Sequence, residues 1–477
     1  MHSLQRSRLA AGAYDVAHTP GAPSHPVTIL QIGDGNFLRA FVDWMIDVAN
    51  EKVGAGLGVA VALARPHPRP PALAAQDGLF TVLERGRAEG EVVDRRRVVR
   101  CLQLAFDPHA EPQTLRRLAA SHDLSFVISN TTEAGIVDSE EPYDPAGCPL
   151  NFPAKIAWLL KARFDALGGV AAPGLVVLPC ELIEGNGATL RRLTLAAAQR
   201  WNFAPEFVDW VGDSCPFLDT LVDRIVPGFP AAEAERLFEA WGYRDPLAIA
   251  AEPYHLWVIE GDLDQRLPLA RAGLNVVWTD DVKPYRDAKL RMLNGAHTAL
   301  AFPALLAGLH TVGEAVADLQ FSAYLNQVLF GEIVPHVPLP PQAREAYARS
   351  VLERFANPFL RHELIAITLN SVAKWRARLL PTVKAAGETP LIAFGFAALV
   401  RFYRGPVRDE PEALAALARA WDGAIDAGEA THRALGDARL WGEDLCALSG
   451  FATQARESAA DIEALGVRGA LARRRGL

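Results

Sequence analysis

The chain has 477 residues, 50% of them hydrophobic and 22% charged, with 48 Lys and Arg against 56 Asp and Glu and a formal net charge of −8. That length is enough for two packed domains with separate cores, and an acidic balance with basic runs confined to Arg95-Arg96-Arg97 and Arg473-Arg474-Arg475 argues against a nucleic-acid binder. Five scattered cysteines without a CxxC pair fit a reducing cytoplasm. The N-terminus lacks a signal-peptide core, and the longest apolar stretch near the C-terminus, residues 390–400, is about half of what a bilayer requires, so no membrane attachment is expected.

Residues 1–26 read as a loose N-terminal arm. From Val27 onward, short apolar runs bounded by Gly, Pro or Asn predict strands buried on both faces at 27–32, 58–63, 124–129 and 174–178. Segments 37–49, 152–167 and 188–201 carry apolar residues at three- and four-residue spacing and predict the crossover helices of a parallel α/β sheet. The Pro-rich piece 65–71 reads as a loop between elements. After about residue 275 the strand signal gives way to helical patterns at 285–309, 312–330, 342–356, 364–380, 391–404 and 410–427. The expectation is a domain over 1–275 followed by a mainly α-helical C-terminal domain over 276–477.

The first strand runs into Gly33-Asp34-Gly35-Asn36-Phe37 at the start of a helix. Here Gly33 would permit the tight turn, and Gly35 would let backbone amides approach a pyrophosphate at the helix N-terminus. The third glycine of GxGxxG is replaced by Leu38, so the pattern reads either as a dinucleotide turn or as a plain strand-to-helix turn. The second strand ends in Ala62-Leu63-Ala64-Arg65-Pro66 without the acidic residue that usually holds the adenosine ribose. Arg65 could accommodate a 2′-phosphate or be a loop arginine, which leaves NAD and NADP both open. The loop Asn130-Thr131-Thr132-Glu133-Ala134-Gly135 follows another strand on the nicotinamide side, where it is either cofactor-binding or a helix cap.

The most informative stretch is Lys289-Leu-Arg-Met-Leu-Asn294-Gly-Ala-His297 within a predicted helix. At about 100° per residue, Lys289 and His297 stand about 80° apart and Asn294 about 60° beyond His297, so the three share one face about 140° wide. An ammonium, an amide and an imidazole on one face suit proton transfer to and from a carbonyl/alcohol pair, although an exposed helix face with an incidental Lys has the same spacing. The 48 basic residues comprise 41 Arg and only 7 Lys. A surface cation in such a chain could have been Arg, whereas a general acid/base could not, because guanidinium does not deprotonate in proteins. A lone His without a carboxylate or Cys at ligand spacing makes a poor metal site, and none is expected.

These residues resemble the polyol-specific long-chain dehydrogenases, which include mannitol dehydrogenase and the hexuronate reductases. The resemblance is carried by Gly33 to Phe37, Ala75-Gln-Asp-Gly-Leu-Phe-Thr81, Thr132-Glu-Ala-Gly135, Val222-Asp-Arg-Ile-Val-Pro227 and the KxxxxNxxH of Lys289, Asn294 and His297, over roughly residues 27–381. It implies an N-terminal Rossmann domain, a helical C-terminal domain, a metal-independent active site between them, NAD or NADP as cofactor, and a monomer or weak oligomer. Lys289 is implied as general acid/base, with Asn294 and His297 on the reacting oxygen, and the dinucleotide on Gly33 to Phe37 with Thr132 and Glu133. Lys374 matches a position where mannitol dehydrogenases carry a substrate-contacting Arg. Where the family has Cys-Asp-Asn this chain has Cys180-Glu181-Leu182, so Asn186 stands as the substitute oxyanion residue. The reaction expected is reversible reduction of a keto-hexuronate, D-tagaturonate to D-altronate, with Arg286 and Lys374 on the substrate carboxylate. Fructuronate, mannitol or arabinitol are the other substrates, and a non-catalytic nucleotide- or sugar-binding protein is the alternative of a different class.

Overall fold

The computed structural model describes residues 2–10, 23–132 and 134–474. They divide into two compact units, Met1–Arg85 with Val93–Val282, and Gly86–Val92 with Lys283–Leu477.

The first unit is built on a five-stranded, wholly parallel sheet in the order Leu102–Phe106, Gly58–Ala62, Val27–Ile32, Phe126–Ser129, Val176–Pro179. Strands Gly58–Ala62, Phe126–Ser129 and Val176–Pro179 are wholly buried and lack polar alternation, as expected for a sheet covered on both faces, while the edge strand Leu102–Phe106 is half-buried at its three middle residues. Register brings the strand ends level: Ile32 faces Ala62 and Ser129, Ala62 faces Phe106, and Ser129 faces Pro179. The loops beginning at residues 33, 63, 107, 130 and 180 therefore leave one edge together. Chain order reverses there between the first strand and Phe126–Ser129, the switch point at which doubly wound sheets bind ligands.

Residues 36–53 form one helix whose second turn, Arg39–Asp43, is π-helical, and it ends on left-handed Gly54. The Val222–Pro227 motif braces this helix. Arg224 donates to the carbonyls of Ala40 (2.7 Å) and Glu252 (2.8 Å) and lies 4.2 Å from the Trp44 ring centre, and burial lowers it to about 10. The expected loose arm is packed over residues 2–10: His2–Ser3 pairs with Tyr243–Arg244, Leu4 is fully buried, and Arg6 donates to the Asp77 carbonyl. Strand Val276–Thr279 pairs with Leu256–Glu260, so strand structure runs slightly past residue 275.

The second unit is helical and its centre is Pro390–Phe402, buried around most of its circumference and packed on the helices 295–306 and 449–474. No helix among the described residues is long and apolar enough to cross a membrane. Three predicted helices are interrupted. Asp318 leaves the helical region and caps Leu319–Asn326 through the Gln320 and Phe321 amides. Asn370 takes a left-handed conformation (φ 54°) that splits 364–380, and Asp422-Gly423 closes Pro411–Trp421. In each case a short polar side chain or a glycine supplies what helical periodicity does not register.

His255 gives the first unit an acid-sensitive point. The backbone N–H of Asn275 donates to its Nε2 (3.1 Å), so Nδ1, 3.1 Å from the Pro253 carbonyl, carries the proton and the ring is neutral. Burial, and after it Arg224, pushes it down from near 6.5 to about 4. An unfolded chain binds that proton more readily than the folded one, so stability is full above pH 6.5 and falls toward pH 4. We expect the thermal midpoint to drop across that window, and the drop to be shallower in His255→Gln, as differential scanning at stepped pH would measure.

Candidate active site

At the switch point the turn after Val27–Ile32 is set by Gly33. Its φ is +108°, its N–H donates to the Ala62 carbonyl (2.9 Å), and a Cβ there would stand 3.0 Å from the Asn130 carbonyl oxygen. Gly35 caps helix 36–53 in extended conformation with no side chain bonded across the cap, and a Cβ on it would meet nothing within 4 Å. Arg39, 7% exposed, fixes the loop by donating to the Asp34 carbonyl, Asn36 Oδ1 and the Leu247 carbonyl. Beneath it, Gln31 donates to the Gly33 carbonyl and to buried Asp43, which burial pushes up to about 7. Phe37 stacks on Phe41 (4.9 Å) at the base of the helix.

This turn forms one wall of a cleft of about 770 Å³, with Leu63–Ala72 and Asn130–Thr132 as the others. An uncapped helix N-terminus beside a glycine cradle that opens into a cleft suits a pyrophosphate, so the residues present fit a dinucleotide. Among the described lining residues Asp34 is the single carboxylate, while Arg65, His67 and Arg69 line the far wall. The Asn130 loop is held by a residue to which no sequence motif assigns a role. Glu181, 2% exposed, accepts from Thr131 N (2.8 Å), Thr131 Oγ1 (3.0 Å) and Ser129 Oγ (3.1 Å). Thr132 follows with φ +73°, a strained conformation for a β-branched residue, at the cleft wall. Glu133 lies outside the described residues.

Asn186 does not serve as the substitute oxyanion residue. It is 1% exposed, its amide donates to the carbonyls of Pro179, Glu181 and Thr220, and its Oδ1 accepts from the amides of Gly187 and Thr220. Those bonds join Asn186 to the ends of the neighbouring strands and leave its donors committed to the protein.

In the second unit Lys289, Asn294 and His297 lie on one continuous helix, 283–306, in which Lys289–Asn294 is a π-helical turn. The Gly295 amide donates to the Leu290 carbonyl, five residues back. A turn closed by i→i+5 bonds turns less per residue than an α-helix, so it brings Asn294 closer to the Lys289 face than the uniform 100° step implies. Gly295 permits a close approach: a Cβ there would stand 3.3 Å from the Arg378 carbonyl. Lys289, Arg286 and Asn294 are half-buried and His297 is 8% exposed.

His297 stacks on Phe355 (centroids 3.9 Å, 14°) and meets His362 edge-on (4.8 Å). Its Nε2 is buried with no hydrogen-bond partner among the described residues. Burial first, then the charges of His362, Arg354, Arg378 and Lys374, hold its pKa well below the ordinary value, so the ring is neutral. Lys374 donates to the Ile367 carbonyl (3.1 Å) from helix Ser371–Arg378, whose start is fixed by Asp409, which accepts from the Asn370 and Ser371 amides. Of the residues around His297, Lys374 is legible from the sequence motif, and Arg378, four residues further on the same helix face, follows from helical spacing. Arg354 and His362 come from other segments, and no spacing rule ties them to residue 297. Among the described residues no group of three His, Cys, Asp or Glu side chains could hold a metal ion.

Comparison with known proteins agrees with both halves of this description. Residues 27–270 match the mannitol dehydrogenase Rossmann domain and residues 281–463 the mannitol dehydrogenase C-terminal domain, and the chain belongs to the mannitol dehydrogenase family. Within it, the chain is 42% identical over 449 residues to the altronate oxidoreductase of Halalkalibacterium halodurans, covering 88% of each chain. It is 40% identical over 468 residues to that of Yersinia pestis, covering 94% of this chain and 97% of the relative. Two solved structures share the fold at 24% identity. One is a D-sorbitol dehydrogenase in substrate-free form (TM-score 0.82, 98% of this chain and 100% of that one). The other is Pseudomonas fluorescens mannitol 2-dehydrogenase in a ternary complex with NAD and D-mannitol (TM-score 0.69, 99% of each).

The two glycines of the turn should respond differently to a side chain. Gly35→Val is expected to keep its thermal midpoint while its Kd for NADH rises at least tenfold, because the new atoms enter open cleft. Gly33→Ala should lose both stability and NADH affinity, since its φ and the Asn130 carbonyl oppose a Cβ. Thermal shift with fluorescence titration separates the two.

Proposed function

We propose that the chain is an NAD-dependent oxidoreductase interconverting D-tagaturonate and D-altronate, a cytoplasmic enzyme acting on a small sugar acid as a monomer or weak oligomer. The observation that carries the anionic substrate is the set of cations, Arg354, Lys374 and Arg378, whose charges bear on buried, neutral His297 on the helix of Lys289 and Asn294. The altronate oxidoreductases at about 40% identity over most of the chain support the same reading.

NAD supplies the hydride acceptor for the alcohol and, reduced, the hydride donor for the ketone. Gly33, Asp34, Gly35, Asn36 and Phe37, with Thr132, are the residues we assign to holding it. In reduction, the Lys289 ammonium gives a proton to the ketone oxygen as charge develops on it; in oxidation its amine takes that proton back. Asn294 donates an amide hydrogen bond to the same oxygen. His297, as a neutral imidazole, has one N–H to donate and no second proton to release, so it stabilises the oxyanion and leaves proton transfer to Lys289.

Lys289→Ala is expected to lower kcat by a hundredfold or more at every pH with a much smaller change in KM, and His297→Ala to lower kcat on the order of a hundredfold. Near-normal turnover by Lys289→Ala would overturn the acid/base role. Because His297 is already neutral, kcat/KM should show no limb from it between pH 6.5 and 9. Side-by-side initial rates should favour D-tagaturonate over D-fructose, D-mannitol and D-arabinitol, and faster turnover of the neutral sugars would remove the anionic substrate.

A further inference from the structure

We propose that Arg378 is the residue that receives the substrate's carboxylate and thereby sets a preference for an acidic sugar over a neutral one. This rests on the reading of the substrate as a keto-hexuronate, and it assigns recognition of the acid group to a residue that no motif singled out.

Arg378 closes helix Ser371–Arg378 and reaches across to helix 283–306. Its Nη1 donates to Thr298 Oγ1 (3.1 Å) and contacts the Asn294 carbonyl (3.5 Å), while Thr298 Oγ1 itself donates to that carbonyl (2.9 Å). Gly295 makes the approach possible, because a side chain there would press on the Arg378 backbone. The guanidinium is thus anchored by one nitrogen to the residue proposed to hold the reacting oxygen. Among the described residues, neither a hydrogen bond nor an ion pair engages its Nε and Nη2. A guanidinium has five N–H donors in a planar fork that matches a carboxylate, and here the outer edge of that fork remains available.

Two further observations agree. Arg378 is half-buried, and burial is the one influence that shifts its pKa, downward, with no neighbouring carboxylate opposing it. Arg378 and Lys374 also both act on His297, so the positive charge stands near the proposed reaction centre and is not dispersed over the surface. A half-buried cation such as Arg378, without a protein counter-ion, is costly to keep unless an anion joins it. Geometry suits such an anion. Asn294 and Thr298 are four residues apart, about 6 Å along the helix axis, and Arg378 spans that turn. A keto-hexuronate likewise carries its ketone near one end and its carboxylate at the other, separated by hydroxylated carbons. With the ketone at Asn294, the chain can run along the helix and place its acid group at the free edge of Arg378. Lys374, one turn earlier on the same helix face, adds charge without the bidentate geometry.

The test compares wild type, Arg378→Gln and Arg378→Lys, with D-tagaturonate and D-fructose as substrates and calorimetric titration of D-altronate as a binding readout. Arg378→Gln should raise the KM for D-tagaturonate at least tenfold with kcat changed less than about threefold, lower D-altronate affinity to match, and leave D-fructose turnover unchanged or improved. Arg378→Lys should recover part of the lost affinity. If Arg378→Gln, with an unchanged thermal midpoint, keeps wild-type KM for D-tagaturonate, or loses D-fructose turnover equally, Arg378 is a structural tie between helices and the proposal fails. A wild type that binds D-altronate without turning over D-tagaturonate refutes the reaction and leaves the anion site testable by calorimetry. A wild type that binds neither overturns both.

Discussion

The Asn130 carbonyl oxygen stands 3.0 Å from where a Cβ would lie on residue 33, and this contact orders the first unit's cleft. It makes residue 33 a glycine, and the positive φ that glycine allows turns the chain at once from strand into helix. Because the two strands end in register, the same contact fixes the spacing between the turn at 33–35 and the loop at 130–132. The surrounding side chains act on that frame. Arg39 and Gln31 hold the carbonyls of Asp34 and Gly33, and Glu181 holds Thr131. All three are buried and each makes at least one hydrogen bond to the backbone of the cleft wall, while Gly35 leaves the cleft free of a side chain.

The second unit reaches precision by a different device, an extra residue in a helical turn. The i→i+5 bond from Gly295 to Leu290 re-aims every side chain after Lys289 relative to those before it, without breaking the helix. His297 then lies among cations contributed by separate helices, buried and neutral, with Nε2 unpartnered. A buried polar atom without a partner is costly, and it is tolerated where a ligand completes it. The stacking of Phe355 keeps the ring in one orientation, so the unfilled hydrogen bond has a fixed direction.

Much of this was legible in the sequence. The four strands of the parallel sheet first read from apolar runs, the crossover helices and the helical character of the C-terminal portion all follow from periodicity and from Gly, Pro and Asn at the ends. Elements escaped where a side chain, and not periodicity, decides. Asp318 and Asn370 each end a helix through local hydrogen bonding or left-handed backbone. The arm at 2–10 packs because Leu4 finds a core and Arg6 finds carbonyls far along the chain. Of the residues proposed for the sites, Gly33, Gly35, Lys289, Asn294, His297 and Lys374 could be named from motif and resemblance. Asn186 was misread because an Asn-Gly pair looks alike whether its amide faces a ligand or the ends of strands.

By itself the sequence determined what depends on near neighbours: the parallel α/β pattern followed by helices, the glycine turn after the first strand, and a lysine in a chain that otherwise prefers arginine. These follow from backbone sterics, helical and strand periods and side-chain chemistry, all of which act over a few residues. Only the tertiary structure decided which distant groups meet: Glu181 with the Asn130 loop, Phe355 with His297, Arg378 with Asn294 and Thr298. Such pairings depend on how helices and strands pack in three dimensions, and a residue's charge or hydrogen-bonding capacity acquires a partner only when that packing brings one within about 3 Å.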